Sequence, residues 1–259
     1  MSCWERLIRF KDQTGAERLG ESLIRADEVS SLDDLVSNGT LHARCLRGDD
    51  MFDLVATPDV VSVKEILPLL SLGHVPIVKC VGLNYMKHRG WSQPPPYPSI
   101  FIKPRSSVAG FSEDIPIPKL AQNNQLNYEG ELSILIGKTG KDTPEHEALT
   151  YIAGFVVSND VSARKWQRDP AYAGGVPQWC FSKGFDKFAP LGPMLVSSKV
   201  VGNAGNLHLQ TFVNGKIRQE SNTSDLLFNT EAIVSFISQG TTLEAGTVVM
   251  TGTPAGFYH

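Results

Sequence analysis

A mainly β fold of the α+β class is the architecture that this 259-residue chain predicts, and three observations carry it. Short runs rich in β-branched residues, bounded by Gly, Pro and Asn, recur from residue 76 onward. Asn214-Gly215 stands between two alternating runs in "LHLQTFVNGKIRQE" and fits a two-residue type I′ hairpin turn. Helical spacing is confined to a few short segments, so strands dominate and the helices are left to pack against them in a roll-like arrangement.

In chain order, residues 1–72 read as a small β-rich N-terminal domain. "WERLIRF" and "MFDLVATP" alternate as strands between polar and acidic segments, and "SVKEILPLL" follows as a short helix ended by Pro68 or by the Leu72-Gly73 region. Residues 73–259 form the larger unit. "PIVKCVGLNY" opens it as a strand, and "QPPPYPSIFIKP" has too many prolines for a helix, so 93–98 is an extended surface segment leading into the strand "SIFI". "TPEHEAL" predicts a helix start with Thr143 as N-cap and Pro144 at the first helical position. "YIAGFVVSND" is an apolar strand ending in polar residues, and "NTEAIVSFISQG" is a capped helix closed by glycine. "TLEAGTVVMTGTPAG" supplies a turn, a strand and a glycine-bearing loop.

Composition narrows the function classes. Hydrophobic residues make up 41% and charged residues 20%, which places the chain among globular domains. Its 24 Lys+Arg against 27 Asp+Glu give a formal net charge of -3, and no basic run or motif points to nucleic acid or to an anionic membrane. No apolar run approaches the roughly 18 residues needed to span a bilayer. The N-terminal "MSCWERLIRF" lacks the apolar centre of a signal peptide, and the acids that follow argue against a transit peptide. Cys3, Cys45, Cys80 and Cys180 are far apart and form no CxxC pair, so a reducing, cytoplasmic setting is the expectation.

The segment with chemistry in it is "LNYEGELSILIG", residues 126–137. It predicts a buried strand, yet Glu129 and Glu131 are two positions apart and so project from one face. Two buried like charges repel and lose hydration, and a divalent cation would turn that repulsion into joint attraction. The alternative is a solvent-exposed face carrying ordinary surface charge. Asp160 adds a third carboxylate where an apolar strand runs out into "SND". Three carboxylates without nearby Cys or His select a hard ion, magnesium first, with manganese or calcium as substitutes.

The chain resembles the fumarylacetoacetate hydrolase family over most of residues 76–259, through "GLNYMKH", "IFIKP", "NYEGELSILIG", "SNDVSARKWQ", "KGFD", "LGP", "VNGKIRQ" and "TGTPAG" in family order. The resemblance implies a mixed β-roll, a homodimer, and a divalent metal that chelates a 2-oxo acid or 1,3-diketone. It matches Glu129, Glu131 and Asp160 to the metal ligands, Lys183 to the active-site lysine, Arg164 and Gln167 to substrate contacts, and His88 to the general base. Each has a plainer reading: Lys183 as a surface lysine, Arg164 as an i+4 partner of Asp160, Gln167 as a solvent-facing amide, His88 as a surface or lid histidine. Thr253 in "TGTP" either binds a substrate carboxylate or shapes a turn.

Hydrolysis of a C–C bond through a metal-stabilised enolate is the first activity the resemblance implies. Many hydrolytic relatives carry a glutamate three residues after the histidine; here that position is Trp91, which removes the partner that would orient His88 and activate water. Trp91 instead offers an aromatic wall for substrate. A tautomerase, isomerase or decarboxylase acting on an oxaloacetate-like acid therefore stands as the alternative, with a noncatalytic metal-binding role as a third. The resemblance also implies further C-terminal strands beyond "TGTPAGFYH".

Overall fold

The computed structural model describes residues 3–24, 31–89 and 94–256, and only the backbone of 88 and 89. The N-terminal segment supplies β1 (Arg6–Asp12), β2 (Glu17–Ser22), helix α1 (Leu32–Ser37), β3 (His42–Arg47) and β4 (Val55–Leu67). These four strands pair in a ring, β1 with β2, β2 with β3, β3 with β4 and β4 with β1. The start of β1 also pairs with a strand from the second half of the chain.

The longer segment adds β5 (Val78–Gly82), α2 (Met86–Arg89), β6 (Ser99–Lys103), β7 (Val108–Gly110), β8 (Leu126–Asn127), β9 (Gly130–Ile136) and β10 (Ile152–Asn159). Then come β11 (Ser162–Ala163), α3 (Arg164–Arg168), α4 (Pro170–Ala173), α5 (Trp179–Lys183), β12 (Ala189–Leu191), β13 (Met194–Val196) and α6 (Ser198–Val201). The hairpin β14 (His208–Val213) and β15 (Lys216–Asn222), helix α7 (Thr230–Ile237) and β16 (Val248–Met250) complete it. The main sheet runs β2-β3-β4-β1-β13-β10-β9-β16-β5-β6, with β12 and β7 attached beside β10.

Strand β9 is covered on both faces, which explains why "ELSILI" reads as a nearly unbroken apolar run. Leu135 joins a core with Leu7, Val78, Val156 and Leu195, while Ile134 and Ile136 join another with Phe155, Val234 and Ile237. Burying each such side chain contributes roughly 1.5–3 kcal/mol, so β9 and its neighbour β10 form a stiff base for whatever their ends carry. The β14–β15 hairpin turns at Asn214 and Gly215, both at positive φ (52° and 73°), as the Asn-Gly pair predicts for a type I′ turn. Asn229 caps α7 by accepting from the Ala232 amide.

Three local expectations are corrected. "SVKEILPLL" is not a helix: residues 62–67 belong to β4, because pairing with β1 and β3 on its two edges and the β-branched Val60, Val61 and Val63 outweigh the helical spacing. Met51 to Asp53 turn, and the strand begins only at Val55. "TPEHEAL" forms a 3₁₀ helix, Glu145–Tyr151, and Pro144 rather than Thr143 takes the flanking extended position. Thr143 is buried, and its amide donates to the Ser238 hydroxyl. Residues 94–98 lie outside regular structure apart from a bend, and the four cysteines are free thiols. Among the described residues, no helix is long and apolar enough to cross a membrane.

Candidate active site

The antiparallel register of β9 and β10 brings the acids together. Glu131 lies opposite Ser158 and Gly130 opposite Asn159, and the Asp160 amide donates to the Glu129 carbonyl at 2.9 Å. Glu129 precedes the regular strand, which starts at Gly130, but this bond carries the ladder one pair further. Glu129, Glu131 and Asp160 therefore converge, each with a carboxylate oxygen within 4.8 Å of the others, and all three are buried. The exposed-face alternative for the glutamates is excluded.

Gly130 and Gly252 permit this approach. A Cβ on Gly130 would meet the Thr211 hydroxyl at 2.1 Å, where the β14–β15 hairpin crosses. Gly252 (φ +105°) adopts a backbone that side chains rarely tolerate, and its amide donates to Glu131 Oε2 at 2.7 Å.

Lys183, at the end of α5, reaches into the cluster. Its Nζ donates to Glu129 Oε2 (2.8 Å), Asp160 Oδ2 (2.6 Å) and the Ser162 hydroxyl (2.6 Å), which uses all three of its protons. The ammonium also sits 5.3 Å from the Phe101 ring centroid. Burial alone would strip its charge, but Asp160 and Glu129 outweigh burial and hold its pKa above the ordinary lysine value. It is no surface lysine.

Sequence reasoning missed Lys103. It is fully buried on β6, its Nζ is 2.6 Å from Asp160 Oδ1, and it donates to the carbonyls of Val161 and Phe188. The signal was a lysine directly after the apolar run "SIFI". The strand turns Phe101 and Lys103 inward and leaves Ile100 and Ile102 exposed.

Arg164 does not pair with Asp160. Its guanidinium donates to Glu129 Oε1, Asn127 Oδ1 (3.2 Å) and Gln167 Oε1 (2.7 Å). Gln167 is buried and lines the cleft, so it is not a solvent-facing amide. Thr253 also lines the cleft while holding its floor, donating to the Gly130 carbonyl (3.0 Å) and accepting from Gln219 (2.7 Å). The His88 side chain and Trp91 lie outside the described residues.

Opposed fields set the carboxylates apart. Asp160 is buried, which disfavours its charge, but Lys103 and then Lys183 overcome this and bring its pKa to about 2. For Glu131 burial is reinforced by repulsion from Asp160 and Glu129, Lys183 offsets only part, and its pKa is pushed well above the ordinary carboxylate value. A buried acid held against two others, in an oxygen-only donor set, fits a hard divalent cation, which would remove that repulsion. The cleft above measures about 400 Å³ with its open mouth, and Val81, Phe101 and Trp179 form an apolar wall beside the acids.

Comparison with known proteins agrees with this geometry. The pattern of the fumarylacetoacetate (FAA) hydrolase C-terminal family matches residues 77–258. An oxaloacetate tautomerase of Xenopus laevis, named as mitochondrial, is 39% identical over 199 residues, covering 76% of this chain and 60% of that protein. This chain thus spans less than two thirds of that relative's length. A crystal structure of 2-hydroxyhepta-2,4-diene-1,7-dioate isomerase from Mycobacterium marinum superposes with a TM-score of 0.75 at 31% identity, over 98% of this chain and 89% of that one. The 5-carboxymethyl-2-hydroxymuconate delta-isomerase of Mycobacterium smegmatis gives 0.77 at 30% identity, over 98% and 90%.

Proposed function

Because the chain belongs to the fumarylacetoacetate hydrolase family, we propose that it is a divalent-metal-dependent tautomerase that moves a proton at the α-carbon of an oxaloacetate-like 2-oxo acid. The observation that carries this reading is the convergence of Glu129, Glu131 and Asp160 within 4.8 Å in a buried cluster whose lysines leave Glu131 uncompensated. Magnesium is the ion this oxygen-only set suits best, with manganese or calcium as substitutes. When bound, it supplies electrophilic polarisation of the 2-oxo group.

The chain's own residues do the rest. Lys183 fixes Glu129 and Asp160 in one geometry, and Lys103 anchors Asp160 from below. Gln167 and Thr253 line the cleft and are the groups that meet a substrate carboxylate there, and Arg164, bonded to both Gln167 and Glu129, holds the substrate side and the metal side in one arrangement. By formal charge, three carboxylates face Lys103, Lys183 and Arg164 and balance them, so a divalent ion leaves two positive charges for a dianionic substrate. His88 is the base that moves the proton.

Trp91, in the place of the hydrolytic glutamate, favours proton transfer over water activation, which sets tautomerisation ahead of C–C hydrolysis. Two similar structures carry isomerase names, which supports the same order. The homodimer implied by the family is supported by a shallow groove where Phe111 and Val157 are exposed beside Pro190 and Pro193, and sedimentation equilibrium checks it.

The test is enol–keto interconversion of oxaloacetate, followed with deuterium exchange at the α-carbon, in magnesium and in EDTA, with acylpyruvate cleavage measured in parallel. Magnesium-dependent exchange without cleavage is expected. Acylpyruvate cleavage without oxaloacetate interconversion would replace this reading with the hydrolytic one.

A further inference from the structure

The amide of Gln219, buried on β15, joins the metal side of the cleft to its substrate side. We propose that Gln219 is a positioning residue: it fixes Thr253 against β9 and so sets where a substrate carboxylate is held relative to the metal acids. The inference rests on the proposed site and adds to it a residue that does not itself line the cleft.

Three observations carry it. Gln219 Oε1 accepts from the Gly130 amide at 2.9 Å, and its Nε2 donates to the Thr253 hydroxyl at 2.7 Å and to the Pro254 carbonyl at 2.9 Å. Gly130 stands between Glu129 and Glu131 in the chain, so one planar amide ties the strand of the metal acids to the "TGTP" loop. The partners also fix which way the amide faces, because only Oε1 can meet a main-chain N–H and only Nε2 a carbonyl. The second observation is the Thr253 hydroxyl, which accepts from Gln219 and gives its single proton to the Gly130 carbonyl at 3.0 Å. That proton is spent within the protein. What Thr253 has left for a substrate carboxylate is its main-chain amide, which meets no acceptor among the described residues. Third, the other end of the loop has its own anchors. The Thr251 amide and hydroxyl both donate to the Leu132 carbonyl (3.1 and 2.8 Å), and the Gly252 amide lies on Glu131. Cutting Gln219 therefore loosens the substrate end of the loop while the metal end stays tied.

Calorimetry with magnesium, then with oxalate on the magnesium-loaded protein, and initial rates with oxaloacetate test it in Gln219→Met, Gln219→Glu and Thr253→Val. Gln219→Met should weaken oxalate binding and raise KM about tenfold, as expected for the loss of one or two neutral hydrogen bonds, with kcat and magnesium affinity little changed. Gln219→Glu keeps the acceptor for Gly130 but loses the donors, and it should be impaired in the same way. Thr253→Val keeps the main-chain amide, so it should lose no more than Gln219→Met, and the double variant should be no worse than Gln219→Met alone. Full oxalate affinity in Gln219→Met, recovery in Gln219→Glu, additive losses in the double variant, or a parallel loss of magnesium binding would overturn the assignment. If the Gln219 variants do not fold, Thr253→Val decides: a mild loss of oxalate affinity at full magnesium affinity supports the assignment, and a complete loss overturns it. Oxalate binding that depends on Gln219 without enol–keto turnover would sink the tautomerase reading while leaving Gln219 in its role; turnover with oxalate binding indifferent to Gln219 would do the reverse.

Discussion

Lys183 Nζ and Asp160 Oδ2 meet at 2.6 Å with the two side chains only 2% and 1% exposed. A charge pair this deep loses its hydration and is kept by mutual attraction and by the further donors and acceptors around it. Removing Lys183 leaves two buried carboxylates short of a counter-charge, with Lys103 still on Asp160 and Arg164 still on Glu129. Lys183→Met is therefore expected to cost about 3–5 kcal/mol of stability and to abolish activity, because Glu129 and Asp160 lose their common clamp. Urea unfolding monitored by tryptophan fluorescence checks it. Lys183→Met combined with Asp160→Asn should cost less than the sum of the single changes.

Glu131→Gln should behave in the opposite sense in metal-free protein. Burial and repulsion by Asp160 and Glu129 raise the Glu131 pKa above its unfolded value near 4.5, so its contribution is complete below that pH and is lost as pH rises through the folded value. The variant has no such loss. Metal-free Glu131→Gln is expected to be as stable as the wild type or more so at neutral pH, with the gap closing toward pH 4. Thermal melts in EDTA across that range decide it.

Much of this site was legible in the sequence, and the reasons for the gaps are physical. Glu129, Glu131 and Asp160 were readable because like charges in an apolar context require a partner. Arg164 and Gln167 were placed by resemblance alone, and the plainer Arg164–Asp160 pair was wrong because Glu129, 35 residues away in sequence, lies closer in space. Lys103 was missed because its partners, Asp160 and the carbonyls of Val161 and Phe188, lie far along the chain, and nothing in "SIFIK" itself points to them. The same limit explains β4, whose pairing on two edges overrode a helix-like pattern.

Gly82 is a position where a single methyl should close the cleft. A Cβ there would lie 1.9 Å from Trp179 Cζ3, and Trp179 is itself packed edge-on against Phe101 at 5.4 Å between centroids. Gly82→Ala is expected to displace the indole and lower kcat/KM at least tenfold, roughly 1.4 kcal/mol, with the magnesium affinity retained. Steady-state kinetics alongside a magnesium titration separate a blocked cleft from a damaged metal site.

Away from the cleft, Asp12 organises the β1–β2 turn. Its Oδ1 accepts from the Thr14 hydroxyl (2.5 Å) and amide (2.8 Å) and its Oδ2 from Arg18 Nε (2.6 Å), and these contacts hold its pKa well below the ordinary 3.8. A depressed pKa contributes stability above the unfolded value that is lost as pH falls. Asp12→Asn should be less stable than wild type at pH 7, with the difference shrinking below about pH 4. Denaturation midpoints at a series of pH values show whether the gap narrows.

The central claim is that three acids from two neighbouring strands jointly hold one hard cation, and calorimetric titration of magnesium into metal-stripped protein tests it most directly. One ion per chain is expected, with protons released in buffers of differing ionisation enthalpy because Glu131 must give up its proton to bind, and with no binding in Glu131→Gln. Heat-silent wild type, or magnesium uptake that Glu131→Gln leaves unchanged, would contradict it.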